Sequence, residues 1–178
     1  MRPTKEQCLK LLKEHNVPEN VIKHSMAVNK VAVFLAKKLK EKGVKINISL
    51  VDRASLLHDL DKIPTLDKGN HGEVARKILE ERGHHKLGEV VHKHIFEAPF
   101  KLGLNSWEEK IVNYADKRCT EDKIVPLKER FEYGRKRYGK ESNEHREKTE
   151  KYFFDLEKQI FDIIGLEPEK LGEHIKVQ

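Results

Sequence analysis

Only two of the 178 residues are cysteine, Cys8 and Cys119, too few for a disulfide framework or a thiolate metal cluster. Aromatic residues make up 7% of the chain, so stacking platforms for successive nucleic-acid bases are few. No RNA-recognition or helix-turn-helix signature is present, so a nucleic-acid partner is possible but not favoured. Long hydrophobic runs are missing as well. The most apolar stretch, Val31–Ala36, is far shorter than the roughly 20 residues that span a bilayer. Residues 1–16 are charged throughout, and no secretion signal is expected. These absences lead to the expectation of a cytoplasmic protein without a membrane partner. Period-two alternation and internal repeats are also lacking, which argues against a sheet or a solenoid.

Charge is what the chain has in quantity. Asp, Glu, Lys and Arg are 37% of it, and 36 basic against 30 acidic residues give a net charge of +6. That balance favours anionic partners such as nucleotides, phosphate esters or RNA, although a well-solvated lysine-rich surface has the same composition. A chain of this length suits one domain and buries roughly 70% of its unfolded surface.

Helix signals recur along the chain. Thr4 and Gln7 form a capping box before a helix to about His15. Pro18 opens a long helix over Glu19–Lys42, with Gly43 as its stop and Val28, Val31, Leu35 and Leu39 as its apolar stripe. Further helices are expected over Ile48–Leu60, over Asn70–Arg82 with His71, Val74, Ala75 and Ile78 aligned, and through Leu87, Val90, Val91 and His94. A second capping box, Ser106 with Glu109, starts a helix over Trp107–Glu121 whose Val112, Ala115, Asp116 and Cys119 share a face. Pro126 starts another to about Tyr138, stopped by Gly139, and Asn143–Ile164 forms the last long helix, ending at Gly165. Its Phe153, Leu156, Ile160 and Ile163 could pack within the chain or pair two chains, so a homodimer is possible. The fold class is all-α.

Metal-capable residues fall on these stripes or at helix ends: His24, His58 with Asp59, His71, His94 and Asp116. Any one histidine on an apolar face is more often a hydrogen-bonded core residue. An ionised Asp116 away from water is different, because it needs a cation or several donors. Six such groups facing inward make little sense for stability but do make sense around a cation. Within His92-Lys93-His94 the apolar spacing selects His94, since His92 points roughly 160° away on an ideal helix. His92 is then a supporting or surface residue.

The order His24, His58-Asp59, His71, His94, Asp116 resembles the HD superfamily of metal-dependent phosphohydrolases. Leu56-Leu57-His58-Asp59-Leu60-Asp61-Lys62 is similar to its LLHDIGK signature, and Asn70-His71-Gly72-Glu73 and Tyr114-Ala115-Asp116-Lys117 match further segments. The resemblance covers about residues 20–120. It implies a helical bundle of the HD-domain type, a single domain over residues 1–178 with a C-terminal helical extension over 122–178. More narrowly, the chain is similar to small stand-alone archaeal-type HDIG proteins without assigned substrate. By that resemblance His24, His58, Asp59 and Asp116 hold one divalent metal (Mn, Fe, Co, Ni, Zn or Mg). His71 and His94 complete a second metal site or bind substrate phosphate. Asp61 stands where the signature has glycine and adds a negative charge near the site, and Leu60 replaces isoleucine. The GYP loop of cyclic-di-GMP phosphodiesterases is missing, as is the Glu-Asp pair of guanosine-tetraphosphate hydrolases.

The expected chemistry is hydrolysis of a small phosphorylated substrate, a nucleotide or similar ester, by a metal-activated water. Asp59 would align that water or accept its proton, and Lys62 would neutralise a phosphate oxygen. A lysine at a helix C-terminus is equally favoured by the helix dipole. Lys117 and Arg118 are secondary candidates, and Arg130, Arg135 and Arg137 form a solvated face that could close over an anion. The alternatives are a ligand- or RNA-binding module without turnover and a purely structural metal site.

Overall fold

A computed structural model of the chain describes residues 2–65, 69–138 and 143–175. Among them the fold is all-α, apart from one two-stranded hairpin.

The organising element is α2 (Glu19–Glu41), whose Val28, Val31, Ala32, Leu35 and Leu39 are fully buried. It packs against α3 (Ile48–Leu57) and α7 (Trp107–Lys117), while α1 (Lys5–Glu14) lies on α3. Asn29 of α2 pins α3 by donating to the Asp52 carbonyl (2.8 Å) and to Ser55 Oγ (2.9 Å). The pair α4 (Glu73–Glu81) and α5 (His85–His92) packs as a hairpin. Gly88 makes this approach possible, because a Cβ there would stand 3.0 Å from the Arg76 carbonyl oxygen. After the short α6 (Ala98–Lys101) and α7 come strands β1 (Cys119–Thr120) and β2 (Lys123–Ile124), then α8 (Leu127–Tyr138), α9 (Glu144–Ile164) and α10 (Leu171–His174). Both capping boxes form as the sequence predicts.

Several boundaries differ from expectation, each for a local reason. Helix α3 ends at Leu57, and residues 58–65 form tight turns, with Leu60 N–H bonded to the Leu57 carbonyl and Lys62 N–H to that of Asp59. Pro64 cannot continue a helix. Helix α4 begins only at Glu73, because Gly72 takes φ 83, and α5 stops at His92. Helix α7 gives way at Cys119 to the hairpin, whose turn places Glu121 at φ 54. Cys119 therefore lies on β1 and not on the helical face shared by Val112 and Asp116. Gly139, the expected stop of α8, lies outside the described residues.

The α9 stripe of Phe153, Leu156 and Ile160 packs within the chain, against α7 and α2. Arg118 locks this packing, with Nη1 donating to Tyr114 Oη (2.7 Å) and Glu157 Oε2 (3.0 Å), and Nη2 to the Pro168 carbonyl (2.9 Å). No helix among the described residues is long and apolar enough to cross a membrane.

Candidate metal centre

All six residues singled out from the sequence converge. His24 Nε2 lies 3.0 Å from Asp116 Oδ1, and His58 Nε2 lies 3.7 Å from that same oxygen and 3.7 Å from Asp59 Oδ2. The other Asp59 oxygen, Oδ1, stands 3.0 Å from His71 Nε2 and 3.7 Å from His94 Nε2. Asp59 thus faces two donor groups at once. His24, His58 and Asp59 form one and Asp59, His71 and His94 the other, each with its ligand atoms within 4.8 Å of one another.

The placement differs from the expected one of five helices presenting ligands. Only His24 and Asp116 lie within helices. His58, Asp59 and His94 sit in turns just past α3 and α5, and His71 sits just before α4. Turns at helix ends hold these rings because main-chain and side-chain bonds fix each one. His58 Nδ1–H donates to the Ser55 carbonyl (2.8 Å), His94 Nδ1–H to Val91 (2.7 Å) and His24 Nδ1–H to Glu121 (2.6 Å). Each bond sets the tautomer that leaves the Nε2 lone pair pointing into the cluster, the arrangement a metal-ligating histidine needs.

The same cluster is otherwise hard to explain. His58 Nε2 is buried and has no hydrogen-bond partner. A buried polar atom left in that state costs about 1–3 kcal/mol. His71 Nε2 and His94 Nε2 lie 2.9 Å apart, too close for two lone pairs without a proton or cation between them. Burial holds the His58 imidazole neutral, pushing it down to about 3, and it also lowers His94. For His71 burial acts the same way but loses to Asp59 and Asp61, which carry it up to about 9. Burial alone would raise Asp59 and Asp116. Their cationic and imidazole neighbours, His58 and His71 for the first and Lys117 and His24 for the second, hold both carboxyls well below the usual range. Imidazole nitrogens and ionised carboxylates converging in one place form a donor set that fits a divalent cation, which would displace the proton His71 holds.

Four supporting groups carry no ligand atom into the cluster. Asp61, fully buried, accepts from the N–H groups of Gly72 (2.7 Å) and Ala75 (3.0 Å), capping α4, and its other oxygen lies 2.8 Å from His71 Nδ1. The charge that departs from the glycine of the signature therefore orients His71. Asn113 holds the turn carrying His94 by donating to the carbonyls of Lys93 (2.6 Å) and Ile95 (3.0 Å). Lys117 is buried and donates to the His94 carbonyl (2.8 Å) and to Asp116 Oδ2 (2.6 Å), which leaves Asp116 Oδ1 for the cluster. The Glu121 carbonyl, which sets His24, comes from the hairpin that the sequence had not revealed. Asp61 and Lys117 were already marked by the sequence, and a polar Asn113 inside a buried helical face was a further readable signal.

Other candidates separate clearly. Lys62 stands at the rim, its Nζ 3.3 Å from Asp59 Oδ1. Arg118 is buried in the α9 contact, away from the cluster. Arg135 pairs with Glu150 (2.8 Å), and Arg137 donates to Tyr133 Oη. His92 is half-buried and contributes to neither donor group.

Comparison with known proteins agrees with this geometry: the HD domain model matches residues 21–166. The chain belongs to the HD domain family. The match runs past residue 120 and takes in α8 and α9. One relative, an uncharacterised protein of Methanocaldococcus jannaschii, is 34% identical over 148 residues, covering 76% of this chain and 86% of that protein. Another, a tRNA (cytidine(56)-2'-O)-methyltransferase of Picrophilus torridus, is 30% identical over 140 residues. That alignment covers 71% of this HD protein but only 39% of the methyltransferase. No solved structure matches the chain.

Proposed function

We propose that this HD protein is a metal-dependent phosphohydrolase acting on a nucleotide or another small phosphate ester. The observation that carries the reading is the buried, unpartnered Nε2 of His58, set among the carboxylates of Asp59 and Asp116. His24, His58, Asp59 and Asp116 would hold one divalent ion, and His71 and His94 with Asp59 a second or the substrate phosphate. The donor set suits Mn, Fe, Co, Ni, Zn or Mg. A divalent cation held there would lower the pKa of a bound water towards about 7 and withdraw charge from phosphoryl oxygens.

The chain's own groups divide the remaining work. Asp59, an acceptor facing both donor groups, aligns the attacking water and takes its proton. The water oxygen bonds to phosphorus, the ester P–O bond breaks, and the departing oxygen leaves with the electron pair and is protonated. Lys62, at the mouth beside Asp59, offsets charge on a phosphoryl oxygen. A closed structural metal site is disfavoured, because the cluster opens onto cavities large enough for a ligand, of 440 and 640 Å³.

A second reading is favoured by the Picrophilus relative, a tRNA (cytidine(56)-2'-O)-methyltransferase. In it the HD cavity binds RNA without turnover.

The test uses metal-stripped protein reloaded with Mn, Ni, Co, Mg or Zn and offered nucleotides, cyclic nucleotides and phosphomonoesters. Metal-dependent hydrolysis is expected, read as phosphate released from monoesters and as monoester formed from cyclic nucleotides, and reduced about 10³-fold or more in Asp59→Ala. Full activity in Asp59→Ala sinks the proposal. Tight polynucleotide binding with a steep salt slope and no turnover installs the second reading.

A further inference from the structure

The two cavities meet at the His/Asp cluster. Both are lined by His24, Asp59, Lys62 and Arg130, and they diverge from there. The larger runs along Ile95, Phe96 and Phe131 towards Lys101 and Arg146, an apolar wall with cationic edges. The smaller runs along Asn20, Lys23 and Tyr133, whose ring lies 5.7 Å from the Arg137 guanidinium carbon. Each volume lies within the usual range for ligand pockets, roughly 300–1,000 Å³.

Arg130 stands at the junction in an unusual condition. Arg118 is paired with Glu157, and Arg135 and Arg146 are both paired with Glu150. Among the described residues the Arg130 side chain forms no ion pair or hydrogen bond, and its Nε is buried without an acceptor. Cations crowd it further. Gly134, four residues on, leaves open the space where a Cβ would stand 3.6 Å from Arg130 Nη1 and 3.4 Å from Arg146 Nη2. The neighbouring carboxylate Asp116 is already engaged by Lys117 and His24. A half-buried guanidinium in this position needs an anion from outside the chain, and a phosphate, with oxygens for bidentate bonding, matches its fork.

We propose that Arg130 grips the phosphate of a phosphodiester lying across both cavities, with a nucleoside in each. The proposal builds on the phosphohydrolase reading and narrows its substrate class. A monoester carries one organic group and would leave the other cavity without a tenant. In the larger cavity the Phe96 edge, with the Arg146 guanidinium 5.3 Å from its ring centre, gives a base an apolar and cationic flank. In the smaller, Tyr133 offers a ring face on which a base can stack. The shared chemistry is that of a dinucleotide and of the end of a longer strand.

The test is equilibrium binding to the full chain, metal-free and Mn-loaded, of three probes. These are AMP, an adenosine dinucleotide whose bridging phosphorothioate resists cleavage, and a ten-residue oligoadenylate of the same linkage. The dinucleotide is expected to bind about tenfold or more tighter than AMP. Arg130→Ala should weaken dinucleotide binding about tenfold or more, at unchanged melting temperature and metal loading, and Arg130→Lys should recover part of it. If the alanine variant does not fold, Arg130→Gln makes the same measurement. Oligoadenylate binding tenfold tighter still assigns the site to a strand end, and equal binding assigns it to a dinucleotide. AMP binding as tightly as the dinucleotide in both metal states, or undiminished binding by Arg130→Ala, overturns the proposal. Preferential dinucleotide binding with no turnover of any ordinary ester overturns the phosphohydrolase reading but keeps the diester site. Turnover of AMP without that preference does the reverse.

Discussion

Two buried polar clusters hang from α7, and they are built on opposite plans. On one side Arg118 gives every nitrogen an acceptor: Nε donates to the Val125 carbonyl (2.8 Å), Nη1 to Tyr114 Oη and Glu157, and Nη2 to the Pro168 carbonyl. Tyr114 Oη in turn donates to Glu157. On the other side, around Asp116, His58 Nε2 has nothing to bond, and the His71 and His94 nitrogens, 2.9 Å apart, are bridged only by the proton that His71 holds. A satisfied network braces a fold, whereas one left short of a cation is waiting for a ligand. The contrast separates structure from function more reliably than burial does, since both clusters have buried members, Tyr114 and Arg118 in one and His58 and His94 in the other.

That difference can be broken by exchange. Arg118→Ala removes the cation paired with Glu157 and leaves the Val125 and Pro168 carbonyls without their donor, and should cost about 3–5 kcal/mol in denaturant unfolding, with metal affinity unchanged. His58→Ala should do the opposite. At metal 100-fold above Kd the wild type gains about 2.7 kcal/mol from binding, and the variant should lose most of that gain in a melt with and without metal. An Arg118 variant that loses metal affinity would merge the two clusters into one.

Legibility in the sequence followed the same line. Apolar spacing and capping boxes made α2, α7 and α9 readable, and residue type plus order assembled the six-residue set. Helical periodicity carried the α3 and α5 helices too far, because it cannot register a turn fixed by i→i+3 bonds and a distant carbonyl. Hence His58, Asp59 and His94 were expected on helices and lie in turns. Glu121 was invisible because its main-chain carbonyl, not its side chain, orients His24. Arg130 looked like part of a solvated face, since four neighbouring residues of α8 are cationic and only three-dimensional pairing tells the paired from the unpaired.

A smaller effect sharpens the comparison within the metal cluster. Asp61→Asn keeps an oxygen for the Gly72 and Ala75 N–H groups but removes the charge facing His71 Nδ1. Calorimetric metal titration should show affinity falling about 10–100-fold at the group containing His71 and His94, the usual penalty for losing the partner of a ligating histidine. Affinity at the His24 and His58 group should stay nearly constant. Equal loss at both groups would mean that Asp61 acts on the fold and not on the ring.

The smallest effect is a pair of slopes of opposite sign. Without metal, His71 is held at about 9 by Asp59 and Asp61 despite burial, above the unfolded value of about 6.5. Its folded-state pKa is raised, so its stabilisation is fully present below about pH 6.5 and is lost as pH rises towards 9. A cation replaces that proton, so metal binding releases it and tightens over the same interval. Melting temperatures of metal-free protein should therefore fall relative to those of a His71→Ala variant between pH 6.5 and 9, while the increment added by Mn should grow. The Arg118 cluster, with no imidazole, supplies no such term. An Mn increment that shrinks as pH rises would place the cation away from His71 and leave Asp59 serving one donor group instead of two.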